Sequence, residues 1–269
     1  MYINVHGSPQ YAYTGGRPYD ASRPTIVFIH GVLNDHSVWI LQSRYLAHHG
    51  WNVLALDLPG HCRSGGEPPG SVEQAAQGVL ALLDALGLQR AVLAGHSFGS
   101  LVALEAAGQA PERVPQLVLV GTAAPMRVSD ALLQASQDEP MRALEMVNQF
   151  SRSTLAPPPS ALGPGTWVYG ASMALGRRVL ASNPRVNLFH TGFLACDRYR
   201  GAEAAMERVS CPVLFLLGSQ DQMTPPRAAQ PLVQRARQGQ VVLLPGGHHQ
   251  MTETPEPLLA ALKGFLARY

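Results

Sequence analysis

The chain has 269 residues, 46% of them hydrophobic and only 14% charged, with a formal net charge of +2. That balance supports a large buried core and excludes intrinsic disorder, which needs few apolar residues and a high net charge. So small a surplus, with one lysine (Lys263) and no Lys/Arg-rich run, excludes an electrostatic grip on nucleic acid.

In chain order, residues 2–5 and 10–14 read as an antiparallel edge pair. Short apolar runs at 25–30, 52–56, 91–95, 116–120, 212–217 and 240–244 follow, rich in Val, Leu and Ile without polar alternation. Such runs predict strands buried on both faces of a parallel sheet. Helical stretches lie between them, at 37–49, 71–86, 98–109 and 226–237. A last helix is predicted over 257–268, where Leu258, Leu259, Leu262, Phe265 and Leu266 fall on one face. The alternation predicts a layered α/β architecture with right-handed crossovers.

The rhythm breaks once. Between the strands ending at Val120 and beginning at Pro212 lie 91 residues, against about 12 for the shortest crossover. The spacing predicts a core of residues 1–121 and 201–269 and an inserted cap at 122–200, interrupted by Pro157-Pro158-Pro159 and Gly163-Pro164-Gly165.

Three scattered cysteines (Cys62, Cys196, Cys211) form no Cys-x-x-Cys pair and point to a reducing compartment rather than a disulfide scaffold. The first residues carry no apolar signal core, and no apolar run approaches a membrane span. A cytoplasmic protein without membrane or nucleic-acid partners is expected, acting on a small molecule. The ten histidines show no metal-binding spacing, and no dinucleotide or phosphate loop follows a strand, so neither metal nor cofactor is expected.

Chemistry enters at Gly95-His96-Ser97-Phe98-Gly99, a G-x-S-x-G between a predicted strand and a predicted helix. A serine on so sharp a turn adopts strained dihedrals to present its hydroxyl, and glycines on either side keep the turn and the helix from colliding. The helix N-terminus behind it offers free N–H groups to a developing oxyanion.

With these residues the chain resembles the α/β-hydrolase-fold enzymes, in particular the serine-nucleophile, cap-bearing group that includes esterases, lactonases, C–C bond hydrolases and cofactor-free perhydrolases. The likeness extends to His30-Gly31, to D-L-P-G-H-x-R-S at 57–64, to G-S-x-D at 218–221 and to G-H-x₄-E-x-P at 247–255. Cys62 departs from the glycine usual at its position. The resemblance implies the order Ser…Asp/Glu…His, which Ser97, Asp221 and His248 fill as nucleophile, acid and base. His249 is an alternative base; the resemblance favours His248, which directly follows the glycine and precedes Glu253 by five residues. The rival acid position after the preceding strand reads Gly121-Thr122-Ala123-Ala124, without a carboxylate.

The same resemblance implies an oxyanion hole of two backbone N–H groups, from Phe98 and from Val32, with Leu33 as the alternative to Val32. His96 reads as packing, Asp35 and His36 as surface or capping residues, and the 57–64 segment as a braced turn. An aspartate stands at the Ser97 position in the dehalogenases and epoxide hydrolases of this fold, so neither reaction is expected. Acyl transfer to water is: cleavage of a carboxylic ester through an acyl-enzyme. The alternatives are a C–C bond hydrolase, an acyltransferase or a perhydrolase on the same residues, or a non-catalytic receptor on the same scaffold.

The insertion concentrates large apolar side chains, most of which should form its own core. Met126, Trp167 and Phe193, with Leu33, are expected to line the substrate pocket. Residues 122–200 also carry eight arginines against five acids, while the rest of the chain is slightly acidic. That surplus suggests an arginine for a carboxylate or phosphate on the substrate.

Overall fold

The computed structural model describes residues 1–153 and 167–267. The Pro157–Pro159 and Gly163–Gly165 breaks, and Arg268 at the end of the last predicted helix, lie outside them. Eight strands form one sheet: β1 (Tyr2–Val5), β2 (Ser8–Tyr13), β3 (Thr25–Ile29), β4 (Asn52–Leu56), β5 (Val92–His96), β6 (Leu117–Val120), β7 (Val213–Gly218) and β8 (Gly239–Leu244). Their order is β1-β2-β4-β3-β5-β6-β7-β8. β1 and β2 run antiparallel, and β3 to β8 are parallel.

Alternation along each strand distributes side chains to two apolar layers. Val27, Ile29, Leu93, Leu117, Leu119, Phe215 and Leu217 point to one face, covered by α2 (Val72–Ala85) and α3 (Phe98–Gln109). Ile26, Phe28, Val92, Ala94, Val118, Val120, Leu214 and Leu216 point to the other, covered by α1 (Ile40–Ala47) and by α11 (Pro255–Leu266) near the C-terminus. Both faces are therefore dry along β3 to β7, as the unbroken Val/Leu/Ile runs require.

β8 differs from expectation. As the outermost strand it is buried on one side only, leaving Val241 and Leu243 exposed. The helix that leads to it, α9 (Gln230–Arg235), is only six residues long.

Local signals fix the helix starts. Ser71 accepts a bond from the Gln74 N–H to cap α2, and Pro255 opens α11. Between β6 and β7 lie α4 (Asp130–Asp138), α5 (Pro140–Ser151), α6 (Val168–Ser182), α7 (Leu188–Arg198) and α8 (Ala202–Arg208). α8 joins the main core through Ala205 and Met206. Leu132, Ala135, Ala143, Leu144, Val179, Phe189 and Phe193 of α4 to α7 cluster instead around Leu33, in the loop after β3. Asp35 from that loop pairs with Arg178 of α6 at 2.7 Å, tying these helices to the sheet. Among the described residues, no helix is long and apolar enough to cross a membrane.

Candidate active site

The turn after β5 has the geometry that its glycines forecast. Ser97 sits at φ 53° and ψ −120°, a conformation that L-residues rarely hold and that costs on the order of 1–3 kcal/mol. It persists because its backbone is pinned: its N–H donates to the Val120 carbonyl at 2.9 Å, and its own carbonyl accepts from the Ser100 N–H and hydroxyl. A Cβ on Gly95 would stand 1.9 Å from the Gly99 oxygen, and one on Gly99 would stand 2.3 Å from the Ile29 oxygen. Neither position has room for any other residue.

Gly31 brings the loop after β3 past this turn; a Cβ there would lie 3.2 Å from the Ser97 Cβ. The next two residues, Val32 and Leu33, line the cavity over Ser97, and Leu33 has a positive φ of 54°. Among the described residues the backbone N–H groups of Val32, Leu33 and Phe98 have no hydrogen-bond partner. Phe98 begins α3, so its N–H belongs to the unpaired first turn.

Asp221 follows β7 and His248 follows β8, on the edge of the sheet that carries Ser97. His248 Nδ1 donates to Asp221 Oδ2 at 2.8 Å, with both side chains buried. The carboxylate also accepts from the Met223 and Thr224 N–H groups and from the Thr224 hydroxyl. Burial alone would raise the Asp221 pKa. His248 and these hydrogen bonds outweigh it and hold the group below the ordinary carboxylate value. Gly121, at φ 56°, lies against the ring, where a Cβ would be 3.2 Å from His248 Cε1 and Nδ1. The position that could have carried a rival acid is thus the floor under the imidazole.

His248 is also held from behind. His96 Nε2 lies 2.9 Å from the His248 carbonyl, so His96 does more than the packing expected of it. Burial first, then His248, push its pKa down to about 3, so it is a neutral donor. The His248 N–H donates to the Ser151 carbonyl at the end of α5. Glu253, on α10 (Gln250–Glu253), accepts from the Gly247 N–H and from both Ser153 donors. His249 makes no bond to Asp221 and lines the cavity beside His248. Burial and then Arg152 hold it well below the usual imidazole range.

The cavity measures about 50 Å³ and is lined by Ser97, His248 and Val32 together with Asn148 (α5), Ser172 (α6), Phe189 and Phe193 (α7), among others. Leu33 and Phe193 are among the lining residues, and Met126 and Trp167 are not. Met126 packs into the main core, and Trp167, at the entry to α6, is 68% exposed. An apolar side chain in the insertion has three possible fates, and only the packing of its helix selects one.

The turn at 57–64 is braced as expected. Leu58 N–H donates to His30 Nε2, and Asp57 accepts from the His36 backbone and ring and from the Arg63 N–H. Asp35 caps the turn at Ser37 but is buried rather than on the surface. Asp35, His36 and Asp57 bring ligand-type atoms within 4.8 Å of one another, yet each is engaged in these bonds. Sequence reasoning missed Thr224, Asn148 and Ser172. Only Thr224 carried a signal, standing three residues after an aspartate where a side chain can close an Asx turn.

Comparison with known proteins agrees with this geometry. A family model described as alpha/beta hydrolase fold matches residues 24–255. The pimeloyl-[acyl-carrier protein] methyl ester esterase of Neisseria meningitidis is 29% identical over 81% of this chain and 81% of its own. The dihydrolipoyllysine-residue acetyltransferase component of the acetoin cleaving system of Pseudomonas putida is 40% identical over 43% of this chain. The chain spans about a third of the length of that relative. Among solved structures, the enol-lactonase of Burkholderia xenovorans superposes with a TM-score of 0.83 at 22% identity, over 99% of this chain and 100% of its own. The sheet order, the strained serine turn and the family match lead to one conclusion: the chain belongs to the α/β-hydrolase-fold family.

Proposed function

We propose that this protein is a serine hydrolase that cleaves a small-molecule carboxylic ester or related acyl compound through an acyl-enzyme on Ser97. The observation that carries this reading is the buried 2.8 Å bond between His248 Nδ1 and Asp221, on the cavity that Ser97 lines. Asp221 fixes the tautomer that leaves His248 Nε2 free to accept a proton. As Ser97 Oγ attacks the substrate carbonyl carbon, its proton passes to Nε2, and the carbonyl electrons collect on oxygen. That oxyanion is met by the N–H groups of Val32 and Phe98. Collapse breaks the bond to the alcohol, which leaves with the proton from His248. Water, deprotonated by the same nitrogen, then releases the acid and restores the serine.

The described helices of the 122–200 insertion, α5 to α7, act as a cap over this site, and their apolar residues Phe189 and Phe193 suit a short acyl group. The test is turnover of p-nitrophenyl esters from acetate to decanoate by the wild type and Ser97→Ala. Turnover favouring short chains and lost in the variant supports the proposal. Activity retained in Ser97→Ala overturns it.

A further inference from the structure

One buried cation near the site makes no ion pair among the described residues. Of the arginines between 122 and 200, Arg127, Arg142, Arg178 and Arg185 pair with carboxylates, and Arg177, Arg198 and Arg200 are exposed. Arg152, directly after α5, is only 6% exposed, and among the described residues no carboxylate lies within ion-pair distance of it. Among the described residues its Nε has no hydrogen-bond partner. Nη1 reaches Thr252 Oγ1 at 3.5 Å, and Nη2 donates to the Ser172 hydroxyl. Glu253 favours the charge from beyond pairing distance; its Oε2 accepts from Gly247 and Ser153, and its buried Oε1 has no hydrogen-bond partner among the described residues. Burial lowers the Arg152 pKa to about 10, so the group remains a cation at neutral pH.

A buried cation held outside ion-pair contact is only partly compensated, and an anion arriving at the site would complete the compensation. Arg152 stands one hydroxyl behind the cavity wall, because Ser172 lines the cavity with Ser97 and His248. Accepting from Arg152 uses a lone pair of Ser172 and leaves the hydroxyl proton to be donated inward. We propose that Arg152 and Ser172 recognise a carboxylate on the substrate, making the substrates short acids that carry a second, scissile acyl bond, such as hemiesters. The carboxylate meets the Ser172 hydroxyl in the cavity wall and feels the Arg152 charge through it. This inference rests on the reading of Ser97 as nucleophile.

The experiment compares kcat/KM for monomethyl and dimethyl glutarate in the wild type, Arg152→Gln and Ser172→Ala, beside calorimetric titration of each with glutarate. The wild type should prefer the hemiester at least tenfold. Both variants should lower that preference at least tenfold, mainly through the hemiester KM, and glutarate binding should weaken in parallel. Equal losses on both esters, or glutarate binding unchanged in the variants, would overturn the proposal and leave Arg152 a purely structural role. Ser172→Ala keeps the arginine in place and carries the test should Arg152→Gln not fold. Wild-type turnover of p-nitrophenyl acetate that depends on Ser97, without hemiester preference, defeats the carboxylate site alone. No turnover of any ester defeats the nucleophile reading, and the glutarate titration still decides the site.

Discussion

His96, the residue before Ser97, donates its Nε2–H to the carbonyl of His248 at 2.9 Å. The turn that strains the serine thereby also holds the loop that bears the proposed base, so two elements of the proposed site, 152 residues apart, share one contact. Replacing His96 by Leu leaves a buried carbonyl unpaired, at a cost of roughly 1–3 kcal/mol. Ester turnover should fall about tenfold with KM little moved, because base placement and not substrate binding is lost. Steady-state kinetics and urea unfolding of the variant check both.

Asp221→Asn removes the charge that fixes the His248 tautomer. The Met223 and Thr224 N–H groups that bond the carboxylate remain, so the loop should keep its shape. kcat should drop on the order of 10³–10⁴-fold, with an unfolding midpoint close to that of the wild type. A loss below tenfold would remove Asp221 from the mechanism.

Strain at Ser97 predicts a stability gain from the one residue that tolerates φ 53°. Ser97→Gly should be inactive and more stable than Ser97→Ala by about 1 kcal/mol. Calorimetric melting of the two variants side by side gives the difference directly.

The glycines should separate into two groups on substitution by alanine. Gly99→Ala drives a Cβ to 2.3 Å from the Ile29 oxygen and should lower stability by more than about 3 kcal/mol or abolish soluble expression. Gly78, inside α2, and Gly264, inside α11, have nothing within 4 Å of the added carbon. Alanine there should stabilise the protein by about 0.5–1 kcal/mol. Chemical denaturation of the three variants is the measurement.

Acid should destabilise the fold earlier than its carboxylates alone would require. His96 and His61 are held at about 3 and about 4, in each case by burial first and then by a neighbouring histidine. In the unfolded chain both rings take up protons near 6.5, the ordinary imidazole value. Below that pH the unfolded state binds more protons than the folded one, so stability falls as pH falls. The contribution of these neutral rings is complete above 6.5 and is lost progressively towards 3. The urea midpoint should therefore decline between pH 7 and 5, before Asp221 and Asp35 begin to titrate. A flat midpoint over that interval would contradict the buried, neutral state of the two rings.

Much of the site was legible in the residues because its logic is local. A strand running into Gly95-x-Ser97-x-Gly99 forces its own geometry through steric exclusion, whatever surrounds it. Unbroken Val/Leu/Ile runs likewise announce strands buried on both sides, and the exception, β8, is an edge whose exposure depends on what fails to cover it. Asp221 and His248 could be ordered from strand ends alone, although the choice between His248 and His249 needed a likeness to other chains.

The substrate side of the cavity was not legible. Met126 and Trp167 have the composition of pocket residues, yet one belongs to the core and the other to solvent. Charge counting identified an arginine surplus but not which arginine is buried. The unbroken apolar runs determined two apolar layers, and the spacing of short motifs picked out the strand ends that carry the candidate site, since both act over a few residues. Only the tertiary structure decided which side chains of α5 to α7 face Ser97, because helix packing depends on contacts between segments far apart in the chain. It placed Arg152 one hydroxyl from the cavity for the same reason.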